Sequence, residues 1–396
     1  LIQRLRNISQ VGLAVLTYPA ARHSRFEHTL GVAAATKRLV DRINVNCDNF
    51  NINQNVKSKL VLAAIMHDVG HCFYSHLSET IYGNLKDFSD LRKDIQRIYD
   101  IKPKPHEILS LLIVNSDAFK DFFSKSVNYP NKANLDRLCE DVGKIIVGID
   151  IVENGVIESY QTAIINGSFD VDKLDYIKRD SYTAGLALDY DIERLFTKIK
   201  VHTLSVDGQI ENRLVIQANG VTAIEELTFC KIMLFSYIYY HQKVLITEDI
   251  IKDYVQALLK LNLINTYSDF LNLDETSLLE LAKEQGDEKP FPLYGDIRLT
   301  QLANNIKNRT LPKRCLEISQ SIVQNIVAQE PGKKDELTKM LNDIRSNSNY
   351  DIKMLDADIN NMISYYTRSE ERYIAGFMTR FEGGTFNKIL EIRKNI

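Results

Sequence analysis

Histidine residues are concentrated at the start of the chain. Six of the eight histidines lie among the first 106 residues, and most of them surround the sequence Met66-His67-Asp68-Val69-Gly70-His71. One histidine on an apolar helix is usually a packed core residue, but several imidazoles beside a carboxylate are typical of a metal or proton-transfer site. The spacing of His67 and His71 predicts that both imidazoles lie on one helix face. Asp68 ends an apolar segment, where an ionised carboxylate is costly unless it is paired or binds a metal.

A later acidic segment supplies further carboxylates. Asp172, Tyr176 and Asp180 recur every four residues, which predicts that they share one face of a helix. A solvated acidic helix surface would show the same spacing, so the pattern alone leaves both interpretations open. Together with the histidines, these carboxylates form a mixed nitrogen and oxygen donor set. Such a set favours Fe, Mn, Zn or Co over a thiolate-preferring metal or a calcium cage.

The composition limits what the protein does. The 396 residues carry 49 Lys and Arg against 52 Asp and Glu, and this net charge of −3 excludes a strongly basic nucleic-acid module. Nucleic acid is therefore expected to be a secondary ligand at most. The longest apolar run, Leu60 to Met66, is too short to cross a membrane, which predicts no membrane association. The five cysteines are scattered without a C-x-x-C pair, which predicts reduced thiols and a cytoplasmic location.

Most of the chain shows helical patterning. Helices are predicted over residues 27–43, 56–69, 106–114, 134–147, 171–188, 223–246 and 296–396. The β-rich runs 200–206 and 209–216 flank Asp207-Gly208, a strong hairpin signal. The sequence therefore predicts an all-α fold with a small β-hairpin near 200–217. We expect a core at 1–265 and a C-terminal helical lobe at 266–396 that makes oligomer or effector contacts.

Three segments carry a resemblance to a known family. They are Arg25-Phe-Glu-His28, Met66 to His71, and Val171-Asp172-Lys173-Leu-Asp-Tyr176-Ile-Lys-Arg179-Asp180. Their order and flanks resemble the H…HD…D pattern of HD-domain phosphohydrolases. More narrowly, they are similar to the dNTP triphosphohydrolase branch, and to the catalytic core of its vertebrate members that join a sterile-alpha-motif domain to an HD domain and restrict retroviruses. The resemblance extends from Gln3 to about Lys313 and implies a helical HD core in a microbial homologue.

The resemblance implies a divalent metal ion, which would be Mn, Fe, Mg, Zn or Co, and a role for each matched residue. The metal ligands would be His28, His67, Asp68 and Asp172. The catalytic residues around the scissile phosphate would be His71, His76, His106 and Glu107. His76 would protonate the leaving ribose oxygen, while a metal-activated water attacks the α-phosphorus. The residues contacting the substrate would be Gln10, Arg25, Lys173, Tyr176, Asp180, Tyr240 and His241.

The resemblance also implies an activity and a mode of regulation. The reaction would convert a dNTP and water into a deoxynucleoside and triphosphate. The vertebrate members assemble through nucleotides bound between subunits, which implies a homo-oligomer, dimer or tetramer, with a nucleotide effector. The matching positions are Gln3, Arg6, Arg194, Arg309 and Lys313. Depletion of dNTPs in antiphage defence is a further hypothesis, which depends on the antiviral role of those members.

Two positions depart from the family pattern. In Tyr240-His241-Gln242 the histidine and glutamine are in the reverse of the family's order, and Ile232 stands where the family has an arginine. These departures leave open an HD phosphohydrolase or phosphodiesterase that acts on another nucleotide. A nucleotide-sensing protein without activity is a further alternative, although the presence of all four predicted metal ligands argues against it.

Overall fold

The computed structural model describes most of the chain. The described residues are 1–127, 131–206, 208–284, 298–311, 313–318, 328, 335, 355–357 and 362–367. Within these ranges, no helix has both the length and the apolar character that crossing a membrane requires.

Helices make up most of the described residues. In chain order they are α1 (Arg25–Asn46), α2 (Gln54–Met66), α3 (His76–Tyr82), α4 (Lys86–Tyr99), α5 (Pro105–Asn115), α6 (Asp117–Val127), α7 (Lys132–Val147), α8 (Ser159–Ile165), α9 (Val171–Ala184), α10 (Ile192–Lys198), α11 (Val221–Leu234), α12 (Gln242–Lys260), α13 (Tyr267–Asn272), α14 (Glu275–Glu284) and α15 (Leu299–Lys307). Short 3₁₀ turns cover Ile2–Asn7, Gly12–Leu16 and Ala218–Gly220, and a π-helical turn covers Phe235–Tyr239. The predicted mostly helical fold is confirmed.

Helix α1 places the first predicted metal ligand in the core. It begins after Ser24, whose hydroxyl and backbone N–H both bond to the carboxylate of Glu27, so that the first turn is capped. Its buried face contains His28, Val32 and Leu39 at helical spacing. This face packs against α2 and α9, the two helices next to the other predicted ligands.

Helix α2 ends earlier than the sequence predicts. The predicted helix runs through His67, but α2 stops at Met66 and residues 67–70 form a turn. The reason is a contact with α5, because Ser110 Oγ donates to the carbonyl of His67 at 2.7 Å and accepts from Gly70 N at 2.9 Å. Continuing the helix would require these same backbone groups. The prediction that His67 and His71 lie on one helix face is therefore wrong.

Glycine is required at the end of this turn. A Cβ atom on Gly70 would lie 2.1 Å from the carbonyl oxygen of His106 and 2.7 Å from Ser110 N. The missing side chain lets the turn approach the backbone of α5 closely. His71 and His106 are brought together in this way, although the chain separates them widely.

Helix α9 carries the acidic segment. Asp170 caps it, accepting from the backbone N–H of Lys173 at 2.9 Å, and Gly185 ends it with a φ of 71°. The cap confirms the predicted start at Val171. The helix packs against α1, so Asp172 and Asp175 lie near His28.

A small four-stranded sheet combines two strands that precede α8 with two that follow α10. Its strands are β1 (Val152–Glu153), β2 (Val156–Ile157), β3 (Ile199–Val206) and β4 (Gln209–Ile216), in the order β1-β2-β4-β3. Strands β3 and β4 are antiparallel, with Ile199 opposite Ile216 and Val206 opposite Gln209. The predicted hairpin near 200–217 is thus confirmed. Of its predicted Asp207-Gly208 turn, Asp207 lies outside the described residues.

The contacts within the chain define two compact units. The first comprises Leu1–Ile238 and Leu261–Leu278, and the second comprises Tyr239–Lys260 and Leu279–Ile396. The first unit contains α1 to α11, α13 and the four-stranded sheet. The proposed division of function at residue 265 stays a prediction.

The second unit contains strands that the sequence analysis did not predict. They are β5 (Lys313–Ile318), β6 (Leu355–Ala357) and β7 (Met362–Thr367), in the order β5-β7-β6 with antiparallel pairing. The prediction of helix over 296–396 is correct for α15 but wrong at these segments. Four of the six residues of strand β7, namely Ile363, Tyr365, Tyr366 and Thr367, are of types that favour strands once a partner strand is available. The remaining residues of 319–396, apart from 328 and 335, lie outside the described residues.

The long apolar segment 223–246 is also not one buried helix. It is divided into α11, the π-helical turn Phe235–Tyr239 and the start of α12 at Gln242. Phe229 and Ile232 on α11 are more than half exposed. The prediction treated every apolar residue as core, whereas a helix commonly leaves one face uncovered.

Candidate metal centre

Three predicted ligands from three parts of the first unit converge. Possible ligand atoms of His28, His67 and Asp172 all lie within 4.8 Å of one another. Nε2 of His28 is 3.0 Å from Oδ1 of Asp172, and Nε2 of His67 is 3.8 Å from the same oxygen. Both imidazoles are buried, while the Asp172 side chain is 28% exposed. The group is therefore closed by protein on one side and open to solvent at the carboxylate.

The other ring nitrogen of each histidine is already bonded. Nδ1 of His28 is 2.8 Å from Oδ2 of Asp175, and Nδ1 of His67 is 2.7 Å from the carbonyl oxygen of Ala64. In each case Nδ1 donates its proton to that oxygen, so Nε2 is the ring nitrogen that remains to bind an ion. Among the described residues, neither Nε2 atom has a hydrogen-bond partner of suitable geometry, although both are buried.

Asp68 lies beside this group and is held by an arginine. Arg25 Nη1 donates to Oδ2 of Asp68 at 2.5 Å, and both side chains are buried. Oδ1 of Asp68 is 3.3 Å from Nε2 of His67 and 3.4 Å from Nε2 of His71. Burial opposes ionisation, but Arg25 and the neighbouring histidines lower the pKa of Asp68 well below its usual range. The carboxylate is therefore ionised and available as a ligand at neutral pH.

The electrostatics of the group suit a cation. Burial lowers the pKa of His28, but the neighbouring carboxylates of Asp172 and Asp175 outweigh this effect and raise that pKa to about 10. Although burial raises the pKa of Asp172, the neighbouring imidazoles of His28 and His67 bring it well below its ordinary value. The carboxylates thus stabilise positive charge among the histidines, which is the charge that a bound metal ion would supply.

These residues fit a divalent metal ion. Two buried imidazole nitrogens without partners and two ionised carboxylates form a mixed N/O donor set. Asp175 and the Ala64 carbonyl orient the two imidazoles, as residues behind metal-binding histidines commonly do. His28, His67, Asp68 and Asp172 would hold the ion.

A second group of titratable residues lies next to the first. Oε1 of Glu79 is 3.2 Å from Nδ1 of His71 and 2.9 Å from Nδ1 of both His76 and His106. The rings of His71 and His106 are stacked, with their centroids 3.8 Å apart. Burial raises the pKa of Glu79, but His106 and His76 reverse this and hold it well below the usual range. The three predicted catalytic histidines are thus brought together around one carboxylate, whose role the sequence analysis did not predict.

The exposure of these histidines differs. The imidazoles of His71 and His106 are buried, whereas the His76 side chain is 67% exposed. Burial and the neighbouring cations lower the pKa of His71 well below its usual value, so His71 is neutral. His76 is the member of the group that solvent and ligands reach most easily.

A strained turn joins the two groups to the start of the chain. Tyr74 and Ser75 have positive φ values of 50° and 54°, which are unusual for residues other than glycine. Ser75 Oγ accepts from Arg25 Nε at 2.7 Å and donates to the carbonyl of Ser9 at 2.5 Å. The turn therefore fixes the arginine that holds Asp68.

Glu275 secures this turn from a distant part of the sequence. Its Oε1 accepts from Ser9 N at 2.9 Å and from Tyr74 N at 3.3 Å. Burial raises the pKa of Glu275 to about 7, against the opposite effect of these two hydrogen bonds. No motif in the sequence indicates this role, because the partners are separated by 266 and 201 positions.

Two predicted substrate residues on α9, Lys173 and Asp180, make polar contacts with other residues of the protein. Lys173 Nζ donates to the carboxylate of Asp170 and to the carbonyl of Gly167 at 2.9 Å. Asp180 is buried and lies 2.7 Å from Nε2 of His23. These distances leave the predicted substrate roles as predictions.

Two more predicted substrate residues belong to the same unit. Tyr176 is partly buried on α9, and burial raises its pKa well above the usual range. The amide oxygen of Gln10 is buried and has no hydrogen-bond partner within the described part of the chain. Tyr240 and His241 belong to the second unit, where Nδ1 of His241 accepts from Lys243 N at 3.2 Å.

Glu107 has a local structural role. Its Oε2 accepts from the backbone N–H of Lys104 at 2.7 Å, which caps the start of α5. The cap positions His106 in the first turn of that helix. The predicted catalytic role of Glu107 stays a prediction.

The predicted effector residues fall into separate places. Arg6 Nε donates to Oε1 of Gln3 at 2.6 Å, and its guanidinium lies 3.7 Å from the ring centroid of Phe26. Arg194 donates to the carbonyl of Asn219 at 3.3 Å. Arg309 is exposed in the second unit and Lys313 begins β5.

Sequence reasoning missed the residues that support the ligands. These are Asp175, Glu79, Ser75, Glu275 and His23. For Asp175 a signal existed, since it lies within the acidic segment one helical turn before Arg179, with which it pairs. The others act through contacts between distant segments, and spacing along the chain does not show these.

Comparisons with known proteins agree with this geometry. A family model described as HD domain matches residues 25–177, and one described as HD associated region matches residues 190–370. All four predicted metal ligands lie within the first of these matches.

Two curated relatives show the extent of the similarity. An uncharacterized protein of Methanocaldococcus jannaschii is 29% identical over 71% of this chain and 49% of its own length. The deoxynucleoside triphosphate triphosphohydrolase SAMHD1 homolog of Dictyostelium discoideum is 27% identical over 80% of this chain and 55% of its own length. The chain therefore spans about half the length of these relatives.

A solved structure shares the fold. A phosphohydrolase from Bacteroides thetaiotaomicron has a TM-score of 0.56 and 20% identity, covering 83% of this chain and 78% of that one.

Proposed function

Since this chain carries an HD domain followed by an HD-associated region, we propose that it is a metal-dependent phosphohydrolase that converts dNTPs into deoxynucleosides and triphosphate. One observation carries the proposal: a metal-binding group lies directly beside the cluster of His71, His76 and His106 around Glu79. Asp68 joins them, because its Oδ1 contacts both His67 and His71. Phosphoester hydrolysis needs these two functions next to each other.

The metal-binding group would activate the reaction. A divalent ion held by His28, His67, Asp68 and Asp172 would supply Lewis-acid polarisation of the phosphate and acidify an attacking water. Arg25 keeps Asp68 ionised and oriented for that purpose. The open side at Asp172 leaves room for a substrate phosphate to approach.

The histidine group would handle the proton. Nδ1 of His76 is bonded to Glu79, so Nε2 of His76 would be the atom that donates a proton to the leaving oxygen. His106 and His76 keep Glu79 ionised, and Nδ1 of His71 lies 3.2 Å from the same oxygen. His76 is exposed enough to reach a bound nucleotide.

The substrate assignment depends on the relatives and on the matched positions. The Dictyostelium relative is named as a deoxynucleoside triphosphate triphosphohydrolase. Tyr176 lies on the same helix as Asp172 and would pack against the sugar, which would disfavour a 2′-hydroxyl. Arg25 and Lys173 would contact phosphate oxygens only if they exchanged part of their present bonds for the substrate.

The test is a product assay on the purified chain. Each dNTP is supplied singly and in pairs with Mn²⁺ or Mg²⁺, and products are separated by anion exchange. We expect deoxynucleoside and intact triphosphate, and loss of both in the Asp172→Ala variant. Asp189→Asn is the matched control, since Asp189 pairs with Lys178 at the surface. Hydrolysis that persists undiminished in Asp172→Ala would contradict the proposed site.

A second candidate follows from the departure at Tyr240-His241-Gln242. An HD phosphohydrolase that acts on another nucleotide would use the same metal group with a different base or phosphate contact. Release of phosphate or a monophosphate, instead of triphosphate, supports this candidate. A nucleotide-sensing role is the third possibility, and it requires binding without any product.

Assembly and physiological role are further parts of the proposal. We propose a homo-oligomer, dimer or tetramer, that responds to a bound nucleotide, because Gln3 and Arg6 form a pair of exposed polar groups at positions matched to effector contacts. Removal of dNTPs would serve nucleotide-pool control or antiphage defence. Unchanged dNTP pools and unchanged phage plating after gene deletion would contradict both roles.

A further inference from the structure

The loop before α5 carries a lysine between two prolines. Its sequence is Lys102-Pro103-Lys104-Pro105-His106, and Lys104 has an extended backbone with φ −72° and ψ 156°. Each proline fixes its own φ, and Pro105 also disfavours helical geometry at the residue before it. Pro103 is buried, and Pro105 lies against Gly83, where an added Cβ would be 3.0 Å from Pro105 Cγ. The backbone at Lys104 is therefore held firmly in one place.

The side chain of Lys104 is held much less tightly than its backbone. It is 57% exposed, and its Nζ lies 3.6 Å from Oε1 of Glu107, the carboxylate with which it pairs. This separation is longer than a hydrogen bond, and an exposed ion pair of this kind contributes little to stability. The other oxygen of Glu107 accepts from the backbone N–H of Lys104. The ammonium can therefore leave Glu107 for another anion while the start of α5 stays capped.

Lys104 lies near both the metal-binding group and the histidine cluster around Glu79. Two residues after it, Nδ1 of His106 is 2.9 Å from Oε1 of Glu79. Partial burial lowers the pKa of Lys104, but the carboxylates of Glu107, Asp172 and Glu79 outweigh this effect and raise that pKa. Its positive charge is therefore within electrostatic range of both groups. Because the side chains of Lys104 and Asp172 are both accessible to solvent, one ligand can reach both.

Two other cations near the metal-binding group are already bonded to carboxylates. Arg25 Nη1 donates to Oδ2 of Asp68 at 2.5 Å, and both side chains are buried. Lys173 Nζ donates to the carboxylate of Asp170 and to the carbonyl of Gly167. Taking either cation away would leave a buried carboxylate without its partner, which is costly. Lys104 can turn to a ligand without that loss, since its own partner is distant and partly solvated.

We propose that Lys104 binds the phosphate chain of the nucleotide substrate, a contact that rests on the proposed function. Its ammonium leaves Glu107 and pairs with an anionic phosphate oxygen, while the metal-binding group holds another part of the same chain. A lysine ammonium binds phosphate as a compact point charge, so the contact does not require one fixed phosphate orientation. The contact is the same in the bound substrate and in the transition state. It therefore lowers KM and leaves kcat almost unchanged.

The test measures hydrolysis and binding separately on the full chain. KM and kcat are determined for each dNTP that is hydrolysed, and binding of inorganic triphosphate is followed by isothermal titration calorimetry at a constant Mn²⁺ concentration. Lys104→Gln should raise KM and weaken triphosphate binding by about tenfold, the loss of one charge-assisted hydrogen bond, with kcat within about twofold of the wild type. Lys104→Arg keeps the charge and should retain most of the binding. Lys102→Gln, which removes an exposed lysine from the same loop, is the matched control.

The outcomes distinguish this contact from the proposed function. Unchanged KM and unchanged triphosphate affinity in Lys104→Gln would overturn the contact, even if hydrolysis of dNTPs supports the proposed function. Equal losses in Lys104→Gln and Lys102→Gln would also overturn it, because they would show only a general attraction between charges. A lower kcat with unchanged KM would overturn it as well, since Lys104 would then act by supporting His106. Triphosphate binding that depends on Lys104, without hydrolysis of any dNTP, would refute the proposed function and leave the contact intact.

Discussion

At the residue scale, the metal centre depends on which nitrogen of each histidine is already bonded. His28 and His67 both engage Nδ1, one with Asp175 and the other with a backbone carbonyl. A backbone carbonyl cannot be altered by substitution, but Asp175 can. Asp175 also accepts twice from Arg179, so one side chain orients the histidine and is itself held in place.

We predict that Asp175→Asn lowers the metal affinity of the group formed by His28, His67 and Asp172 by about 10–100-fold. An amide nitrogen cannot accept a hydrogen bond, so either His28 or Arg179 loses its acceptor. His28 would then sample other ring orientations and no longer hold Nε2 toward Asp172. Titration with Co²⁺ or Mn²⁺ measures the change.

Two results decide this prediction. Asp189→Asn alters a surface aspartate that is also paired with a basic residue, Lys178, and this variant should bind metal like the wild type. An affinity for Asp175→Asn within about twofold of the wild type would show that His28 is oriented by its packing alone.

At the element scale, α14 controls a turn that lies far from it in the sequence. The carboxylate of Glu275, the first residue of α14, holds the backbone of Ser9 and Tyr74, and the turn at Tyr74 and Ser75 holds Arg25. The backbone strain of this turn is kept by these contacts. The geometry of Asp68 is thus linked to a helix outside the matched HD domain.

We predict that Glu275 makes stability depend on pH. Burial raises the pKa of Glu275 to about 7 in the folded chain, compared with 4.5 as its ordinary value. Between these values the folded state holds a proton that the unfolded state has lost, so the contribution of Glu275 to stability decreases as pH rises through this window. Above pH 7 it is constant.

The Glu275→Gln variant isolates this effect. Its amide oxygen still accepts from Ser9 and Tyr74, but the side chain does not ionise. The Tm of the wild type relative to this variant should therefore be lower at pH 8 than at pH 5. Glu280→Gln, which alters an exposed carboxylate paired with Lys307, is the control and should show no such trend. A difference in Tm that is the same at both pH values would refute the assignment.

At the scale of the whole molecule, the small net charge of −3 provides no general attraction for nucleotides. The proposed effector binding would therefore come from local clusters of basic and amide side chains. Arg6 and Gln3 form one such pair on the exposed surface of the first unit. Attraction between such a pair and a polyanion weakens as salt screens it.

We predict that dNTPs increase the mass of the particle from one chain to a dimer or tetramer. Sedimentation velocity with and without nucleotide pairs measures this change. Arg6→Ala should raise the nucleotide concentration needed, because one phosphate contact is lost. Arg97→Ala, which alters an exposed arginine paired with Asp94, is the control. A mass that does not respond to any nucleotide would contradict the proposed assembly.

The sequence alone was sufficient where structure is set locally. The start of α9 at Val171 and the pairing of 200–206 with 209–216 follow from neighbouring residues, and both are confirmed. The gathering of His28, His67 and Asp172 was also anticipated, from the family pattern that these positions match. The residue types that can bind a metal, and the order in which they occur, can be read from the sequence alone.

The tertiary structure determined which residues belong to the metal-binding group, which belong to the histidine cluster around Glu79, and which side chains hold them in place. Helix periodicity predicts His67 and His71 on one helix face. In the structure, Ser110 of α5 forms hydrogen bonds with the backbone groups that would continue α2, so the helix ends and the two imidazoles lie in different groups. The roles of Glu79 and Glu275 likewise arise from contacts between distant segments. Local patterns encode helices and turns because those bonds are short-range in sequence, whereas the partners of a buried polar group are chosen only when the core assembles.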